Sequence, residues 1–278
     1  MRYGDDYKKL PVYSKESGKG TEVVPGVYVF TDQIVNVIFI GIPGNDEFII
    51  VDAGMPKRGD KIIEAAKERF GPDAKPSAII LTHGHFDHVG SIIELIEEWQ
   101  VPVYIHKKEL PYVTGRKAYP EPDYKANGGM VVKVSKAFPT DPIDLEDKVS
   151  TLPLDGTVPF LPEFRWLPVP GHTEGQVALF RESDRLIIAA DAFVTTKQES
   201  LYAVFTQKEE VNGPPRYLTP DWDTAKESLR KIVELDPYYG ITGRGEPMSG
   251  EPLKEGLLHV LNNWEDVAMP NKGKFVDD

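Results

Sequence analysis

Residues 82–90 read Thr82-His83-Gly84-His85-Phe86-Asp87-His88-Val89-Gly90 and directly follow the apolar run Ser77-Ala78-Ile79-Ile80-Leu81. Three of the chain's six histidines and one aspartate therefore fall within a short loop at the end of a predicted strand. Imidazole and carboxylate groups together suit zinc, iron or manganese. This part of the sequence therefore predicts a metal site.

The spacing within this loop predicts two directions for the side chains. His83 and His85 are separated by one residue, which places both on the same side of an extended segment. Asp87 and His88 come at the expected start of a helix from Val89 to Trp99, so they leave the loop in another direction. They can therefore serve a second ion, and the loop is compatible with one metal or two.

Composition limits the classes of function. The formal net charge of -12 argues against binding to nucleic acid or to anionic membranes, because both require basic surfaces. The chain has no cysteine, so it has neither disulfides nor a thiolate nucleophile or metal ligand. The first residues lack an apolar secretory stretch, and no segment approaches the ~20 apolar residues of a membrane span. We expect a cytoplasmic protein that acts on a small molecule; the sequence does not indicate its oligomeric state.

Hydrophobic periodicity and turn signals indicate an α+β fold with a mixed sheet and helices outside it. We expect one domain over residues 1–278. Strands are predicted at 22–30 with a break at Pro25-Gly26, and at 34–40, 47–52, 77–81, 101–105, 164–169, 176–181, 185–190 and 238–242. Helices are predicted at 61–70, 89–99, 224–235 and 252–264, the third capped by Asp221 or Asp223.

The segment from about 110 to 162 shows no regular period and is rich in proline, glycine and isolated aromatic residues. Loops of this length are uncommon unless they are functional or disordered. Two interpretations stay open, an ordered lid or an excursion that only packs on the core.

Two further polar positions lie at the ends of predicted strands. Pro170-Gly171-His172-Thr173 offers one imidazole from a glycine-containing turn, and Asp191 ends the apolar strand Leu186 to Ala190. A carboxylate at the end of a buried strand is typical of a metal ligand.

In this order, the motifs resemble those of the metallo-β-lactamase superfamily, from about Val23 to Gly250. The early Val51-Asp52-Ala53-Gly54 strand end also matches the superfamily. The resemblance implies a four-layer αββα sandwich, in which two mixed β-sheets carry helices outside and a metal site lies along one edge.

The resemblance also implies roles for individual residues. His83, His85 and His172 would hold a first metal, Asp87 and His88 would belong to a second, and Asp191 would bridge the two. Asp52 would hydrogen-bond to a ligand and so fix its orientation. The implied cofactor is Zn²⁺, as one or two ions, with iron or manganese as alternatives.

One position departs from the superfamily pattern. Its last ligand is a histidine in a Gly-His-Gly-x-Pro turn, whereas this chain has Gly243-Arg244-Gly245-Glu246-Pro247. A guanidinium stays protonated and has no lone pair for a metal, and its charge repels a cation. We expect that Arg244 pairs with Asp87 or Asp191 and replaces the second metal electrostatically. The alternative is a weakened second site formed by Asp87, His88, Asp191 and water.

These groups predict hydrolysis by a metal-activated water molecule. Asp87 is the expected proton shuttle, and Arg244, if only one metal binds, can bind the developing oxyanion or a substrate carboxylate. The absence of cysteine and of a competing Ser-His-Asp order argues against covalent catalysis.

The substrate is expected to be an ester, lactone, thioester or lactam-type small molecule, as for the lactonases and thioesterases of the superfamily. Aromatic residues of the 110–162 segment, together with Phe193 and the turn Pro214-Pro215-Arg216-Tyr217, either line an apolar pocket or simply pack. Two other classes stay open. One is a mononuclear iron oxygenase of the persulfide dioxygenase type, and the other is a catalytically impaired metal-binding protein.

Overall fold

The computed structural model describes residues 1–45, 47–126, 132–133, 135–198 and 200–276. The chain divides into two compact units. The first unit comprises Met1–Tyr119 and Pro139–Pro162, and the second comprises Pro120–Phe138 and Glu163–Asp278. That the 278 residues form one domain stays a prediction.

The first unit is built on a seven-stranded mixed sheet whose strands lie in chain order. The strands are β1 (Gly20–Val24), β2 (Val27–Asp32), β3 (Val35–Ile40), β4 (Ile49–Val51), β5 (Ala78–Ile80), β6 (Val103–Ile105) and β7 (Val149–Thr151). β1 to β4 pair antiparallel through short connections, and β4 to β7 pair parallel. Parallel pairing requires longer crossovers, and helices supply the first two.

These crossover helices present apolar faces to the core. α1 (Gly59–Phe70) connects β4 to β5, and α2 (Ile92–Trp99) connects β5 to β6. α2 begins three residues later than the sequence predicts, and the backbone before it is hydrogen-bonded to the turn after β4. Gly90 N donates to Gly54 O (3.0 Å), and Ser91 N donates to Ala53 O (3.1 Å). The loop that carries the histidines is thereby tied to the turn after β4.

The segment from 110 to 162 is less irregular than its sequence suggests. It contains the helix α3 (Leu110–Val113), a 3-10 turn at Ser135–Ala137, strand β7 and the short strand β8 (Thr157–Val158). β7 escaped prediction because it has only three residues, Val149-Ser150-Thr151, and is largely exposed. Residues 127–131 and 134 lie outside the described residues. A lid role for this segment stays a prediction.

In the second unit, β9 to β13 lie side by side in the order β13-β12-β11-β10-β9. They span Leu161–Pro168, Val177–Arg181, Leu186–Ile188, Tyr239–Ile241 and Met248–Ser249. β11 and β12 are parallel, whereas the other pairs are antiparallel. This sheet is therefore also mixed, as the sequence predicts.

Helices of the second unit cover a core rich in large side chains. They are α4 (Leu201–Thr206), α5 (Trp222–Glu234), α6 (Gly250–Asn262) and α7 (Trp264–Val267), with a 3-10 turn at Arg216–Leu218. Asp221 caps α5, since its carboxylate accepts from Thr224 N (3.0 Å). Among the described residues, no helix combines the length and apolar composition needed to cross a bilayer.

Two of the aromatic residues considered for a substrate pocket lie in hydrophobic clusters. Phe193 has no exposed surface and contacts the core around Trp222 and Trp264. Tyr217 packs with Leu218 and Val132. For Phe193 and Tyr217, ordinary packing is the correct interpretation.

A buried ion pair fixes the turn that follows β4. The Asp32 carboxylate accepts from Arg58 Nε (2.8 Å) and from Met55 N (2.8 Å), and Asp32 has no exposed surface. Removing one partner of a buried pair leaves the other charge without compensation.

We therefore expect Asp32→Asn to lower the free energy of unfolding by about 3–5 kcal/mol in urea titrations. The matched control is Glu98→Gln, because Glu98 pairs with Lys67 at the surface (3.2 Å). That exposed pair is expected to contribute less than about 1 kcal/mol. Equal losses in the two variants would contradict a special role for Asp32.

Candidate metal centre

The histidine loop begins immediately after β5 and gathers three imidazoles in the first unit. His83 Nε2 lies 3.1 Å from His85 Nδ1, and the two rings meet edge to face. The ring centroid of His88 lies 4.1 Å from that of His83. Ligand atoms of His83 lie within 4.8 Å of those of both His85 and His88, and all three residues are buried. His83 and His85 therefore lie side by side, and their role as metal ligands stays a prediction.

Asp52 organises this cluster from the end of β4. Its carboxylate accepts from His88 Nδ1 (2.7 Å), from Thr82 N (2.8 Å) and from the Thr82 hydroxyl (2.8 and 3.0 Å). Its backbone has a φ of 64°, in the left-handed region, and Asp52 N donates to Ile80 O (2.8 Å). Asp52 thus makes the supporting hydrogen bond to a histidine that the sequence implies.

These hydrogen bonds assign the tautomers of two histidines. His88 must donate through Nδ1–H, because a carboxylate only accepts. The Thr82 hydroxyl gives its single proton to Asp52, so it accepts from His83 Nδ1 (3.1 Å). His83 and His88 therefore both carry a lone pair on Nε2, the form in which a neutral imidazole ligates a metal.

Asp87 is also buried in the first unit. Its charge, together with burial and the charges of Asp6 and Asp141, raises the pKa of Tyr7 well above its ordinary value; burial is the largest cause. Tyr7 comes from the N-terminal segment, where no motif marked it. Its hydroxyl stays protonated at neutral pH and can act as a donor.

In the second unit, three predicted site residues lie together. His172 Nε2 lies 3.4 Å from Asp191 Oδ2, and Arg244 Nη1 donates to the same oxygen. All three are buried, and Arg244 is only 1% exposed. Of the two partners expected for Arg244, the structure gives Asp191.

The His172 tautomer follows from a threonine in the same way. The Thr219 hydroxyl donates to Pro215 O (2.8 Å), so it accepts from His172 Nδ1 (3.0 Å). The lone pair of His172 is therefore on Nε2, the nitrogen near Asp191. Nothing in the sequence around Thr219 marked this role.

Local backbone structure explains why these residues occupy their places. Gly171 has a φ of 126°, and a Cβ there would lie 2.4 Å from Ala225 N, so only glycine fits before His172. Gly243 N donates to Ala190 O (2.7 Å), which ties the Arg244 turn to the end of β11. The Thr242 hydroxyl donates to Arg244 O (2.7 Å) and closes the turn.

The donor chemistry of the predicted site residues suits a divalent metal. In the first unit, His83 and His88 each have an Nε2 lone pair of the kind a metal ligand needs, and Asp87 is a buried carboxylate. In the second unit, His172 has the same lone pair and Asp191 is a buried carboxylate. The guanidinium at position 244 has no lone pair to offer a metal. Asp191 Oδ2 moreover accepts from that guanidinium, so it already faces a fixed positive charge.

Comparison with known proteins agrees with this chemistry. The family model described as "Metallo-beta-lactamase superfamily" matches residues 30–243. The chain belongs to this superfamily. The predicted class of enzyme, a metal-dependent hydrolase, is thereby confirmed.

A curated relative covers nearly the whole chain. It is the "Probable metallo-hydrolase YflN" of Bacillus subtilis (strain 168), which is 46% identical over 93% of this chain and 98% of its own length.

Solved structures show the same fold. The B3 metallo-beta-lactamase BLEG-1 aligns with a TM-score of 0.55 and 21% identity, over 80% of this chain and 95% of that chain. TTHA1623, solved in a di-iron-bound form, aligns with a TM-score of 0.50 and 24% identity, over 77% of this chain and 89% of that chain. With the family match and the two mixed sheets, these confirm the predicted α+β class and the αββα fold.

Thr82 offers a direct test of the tautomer assignment. Thr82→Val keeps the shape of the side chain but removes the hydroxyl that holds His83 Nδ1–H. We expect the affinity for zinc to fall about 10- to 100-fold in a competition titration with a chelating dye. Thr82→Ser keeps the hydroxyl and should bind like the unmodified protein. Equal affinities for the valine and serine variants would show that this hydrogen bond does not position His83.

Proposed function

We propose that the protein is a mononuclear metal-dependent hydrolase that acts on an ester, lactone, thioester or lactam-type small molecule. The observation that carries this proposal is the buried Arg244–Asp191 ion pair. The resemblance to the superfamily implies that its last metal ligand would stand at position 244, where this chain has an arginine. A second ion would have to overcome its charge.

In this proposal, His83, His85 and His172 hold the ion, and Zn²⁺ is the first candidate. Asp191 contributes a carboxylate that Arg244 partly neutralises. Asp87 and His88, which would belong to a second ion in a dinuclear site, have other roles here. His88 remains bound to Asp52 and stabilises the loop.

A divalent ion bound in such a site lowers the pKa of a water molecule toward neutrality and polarises the scissile carbonyl. The chain supplies the remaining steps. The Asp87 carboxylate takes the proton from the attacking water and passes it to the leaving group. Arg244 donates to the oxyanion as it develops, or to a carboxylate of the substrate. Burial strengthens such interactions, because little water screens them.

The expected partners follow from charge. A net charge of -12 favours a small-molecule substrate over nucleic acid or an anionic membrane surface. We propose a cytoplasmic location.

An iron oxygenase is the second candidate. It would use only one ion, which the presence of arginine at 244 favours. Oxygen consumption and iron content distinguish this candidate from a zinc hydrolase. A metal-binding protein without turnover is the third candidate; it predicts no hydrolysis of any ester, lactone, thioester or lactam in a broad panel.

Metal stoichiometry tests the central claim. We expect about one ion per chain by elemental analysis, and about two in Arg244→His, because that change removes the charge and supplies a ligand. Arg185→His is the matched control, since Arg185 pairs with Asp236 at the surface. The control should bind the same amount of metal as the unmodified protein. Two ions in all three proteins would overturn the mononuclear proposal, and zero ions would overturn metal dependence.

Turnover tests the role of Arg244 separately. If its guanidinium stabilises the oxyanion, Arg244→His should lose about 10²- to 10³-fold in kcat on the best substrate of the panel. A gain in kcat together with a second ion would instead assign the chemistry to a dinuclear site. Arg185→His should leave kcat unchanged.

A further inference from the structure

Glu109 is a buried carboxylate in none of the motifs singled out by the sequence. It lies between β6 and α3 in the first unit and has no exposed surface. Lysine residues 107 and 108 precede it directly, so in the sequence it appears to belong to a charged surface turn. A carboxylate buried to this extent needs hydrogen-bond donors.

The donors to Glu109 come from the histidine loop and from Tyr119. Glu109 Oε2 accepts from Gly84 N (3.0 Å) and from the Tyr119 hydroxyl. The Tyr119 oxygen also lies 3.0 Å from Gly84 N. The amide between His83 and His85 is thus held by two oxygen atoms that also bind each other.

The ring of Tyr119 extends this contact to a histidine side chain. Its centroid lies 4.4 Å from that of His85, with the planes inclined by 57°. The same ring stacks on the buried Tyr112 at 3.9 Å, nearly parallel at 6°. Tyr119 therefore has little freedom to move and forms a rigid surface beside the His85 imidazole.

Gly84 is required by the close approach of Tyr119. A Cβ at Gly84 would lie 2.8 Å from the Tyr119 oxygen and 3.1 Å from Val113 Cγ1. Any larger residue would push Tyr119 away from the loop. The absence of a side chain at Gly84, between the two histidines, therefore lets Tyr119, 35 residues later, approach the loop.

We propose that Glu109 and Tyr119 are positioning residues for the metal site, with Glu109 fixing the Gly84 backbone and Tyr119 fixing the orientation of the His85 ring. This inference rests on the proposed function and deepens it. It assigns Tyr119, in the segment that begins at Leu110, a role in supporting the histidine loop. Groups that orient metal ligands typically change metal affinity by about 10- to 100-fold when they are removed.

Cobalt titration of the full chain tests this inference. Co²⁺ serves as the probe because its visible absorption reports ligand geometry. We expect Tyr119→Phe and Glu109→Gln to weaken Co²⁺ binding about 10- to 100-fold and to alter the absorption spectrum. The matched controls are Tyr124→Phe and Glu97→Gln, which change exposed residues and should leave affinity and spectrum unchanged.

The two levels of the proposal fail in different ways. If the unmodified protein and all variants bind no Co²⁺, the proposed function fails. If the unmodified protein binds Co²⁺ and Tyr119→Phe has the same affinity and spectrum, the positioning role fails. Tyr119→Phe removes a single oxygen and keeps the ring, so its result decides the question even if Glu109→Gln does not fold. Thermal unfolding of the metal-free proteins separates lost positioning from lost stability.

Discussion

The Asp52 carboxylate is the constraint on which the histidine loop depends. It stands at the end of β4 and binds the backbone and hydroxyl of Thr82 at the end of β5. It also holds the Nδ1 proton of His88. One anionic side chain thus joins two neighbouring strand ends and sets the tautomer of the His88 imidazole. Because its acceptors are all engaged by donors of the loop, the imidazoles keep their orientation through hydrogen bonds that are already made in the folded chain.

In the second unit, Arg244 provides the positive charge that pairs with the buried Asp191 carboxylate. Dinuclear hydrolases balance a buried carboxylate with metal ions, whereas here Asp191 faces a guanidinium from its own unit. Buried ion pairs are costly to desolvate, and their partners are strongly interdependent. The main effect of the pair is therefore to fix a positive charge beside the Asp191 carboxylate, and its contribution to stability is secondary.

Much of the site could be predicted from the sequence, because its residues stand at strand ends in motifs of fixed spacing. His83, His85 and Asp52 are found in this way, as is one of the two partners expected for Arg244. The contact of Tyr119 with the histidine loop could not be predicted. It joins residues that are far apart in sequence, and it depends on the path that the chain takes between them.

The same limit applies to the fold. Periodicity located the long helices and buried strands, whereas β7 is short and exposed and carries little pattern. α2 begins at Ile92 and not at the predicted Val89, and the N–H groups of Gly90 and Ser91 donate to the turn after β4. Phe193 illustrates a further difficulty. The sequence shows only that an aromatic residue stands near a site motif, and it does not show whether that residue lines a pocket or fills a core.

The buried guanidinium determines which charge remains beside Asp191 when metal is scarce. A bound ion exchanges with its surroundings and is lost to a chelator, whereas Arg244 is covalently part of the chain. The charge opposite Asp191 is therefore permanent, and scarcity of metal cannot remove it. Under the mononuclear proposal, such an enzyme acquires only one ion from its surroundings after synthesis.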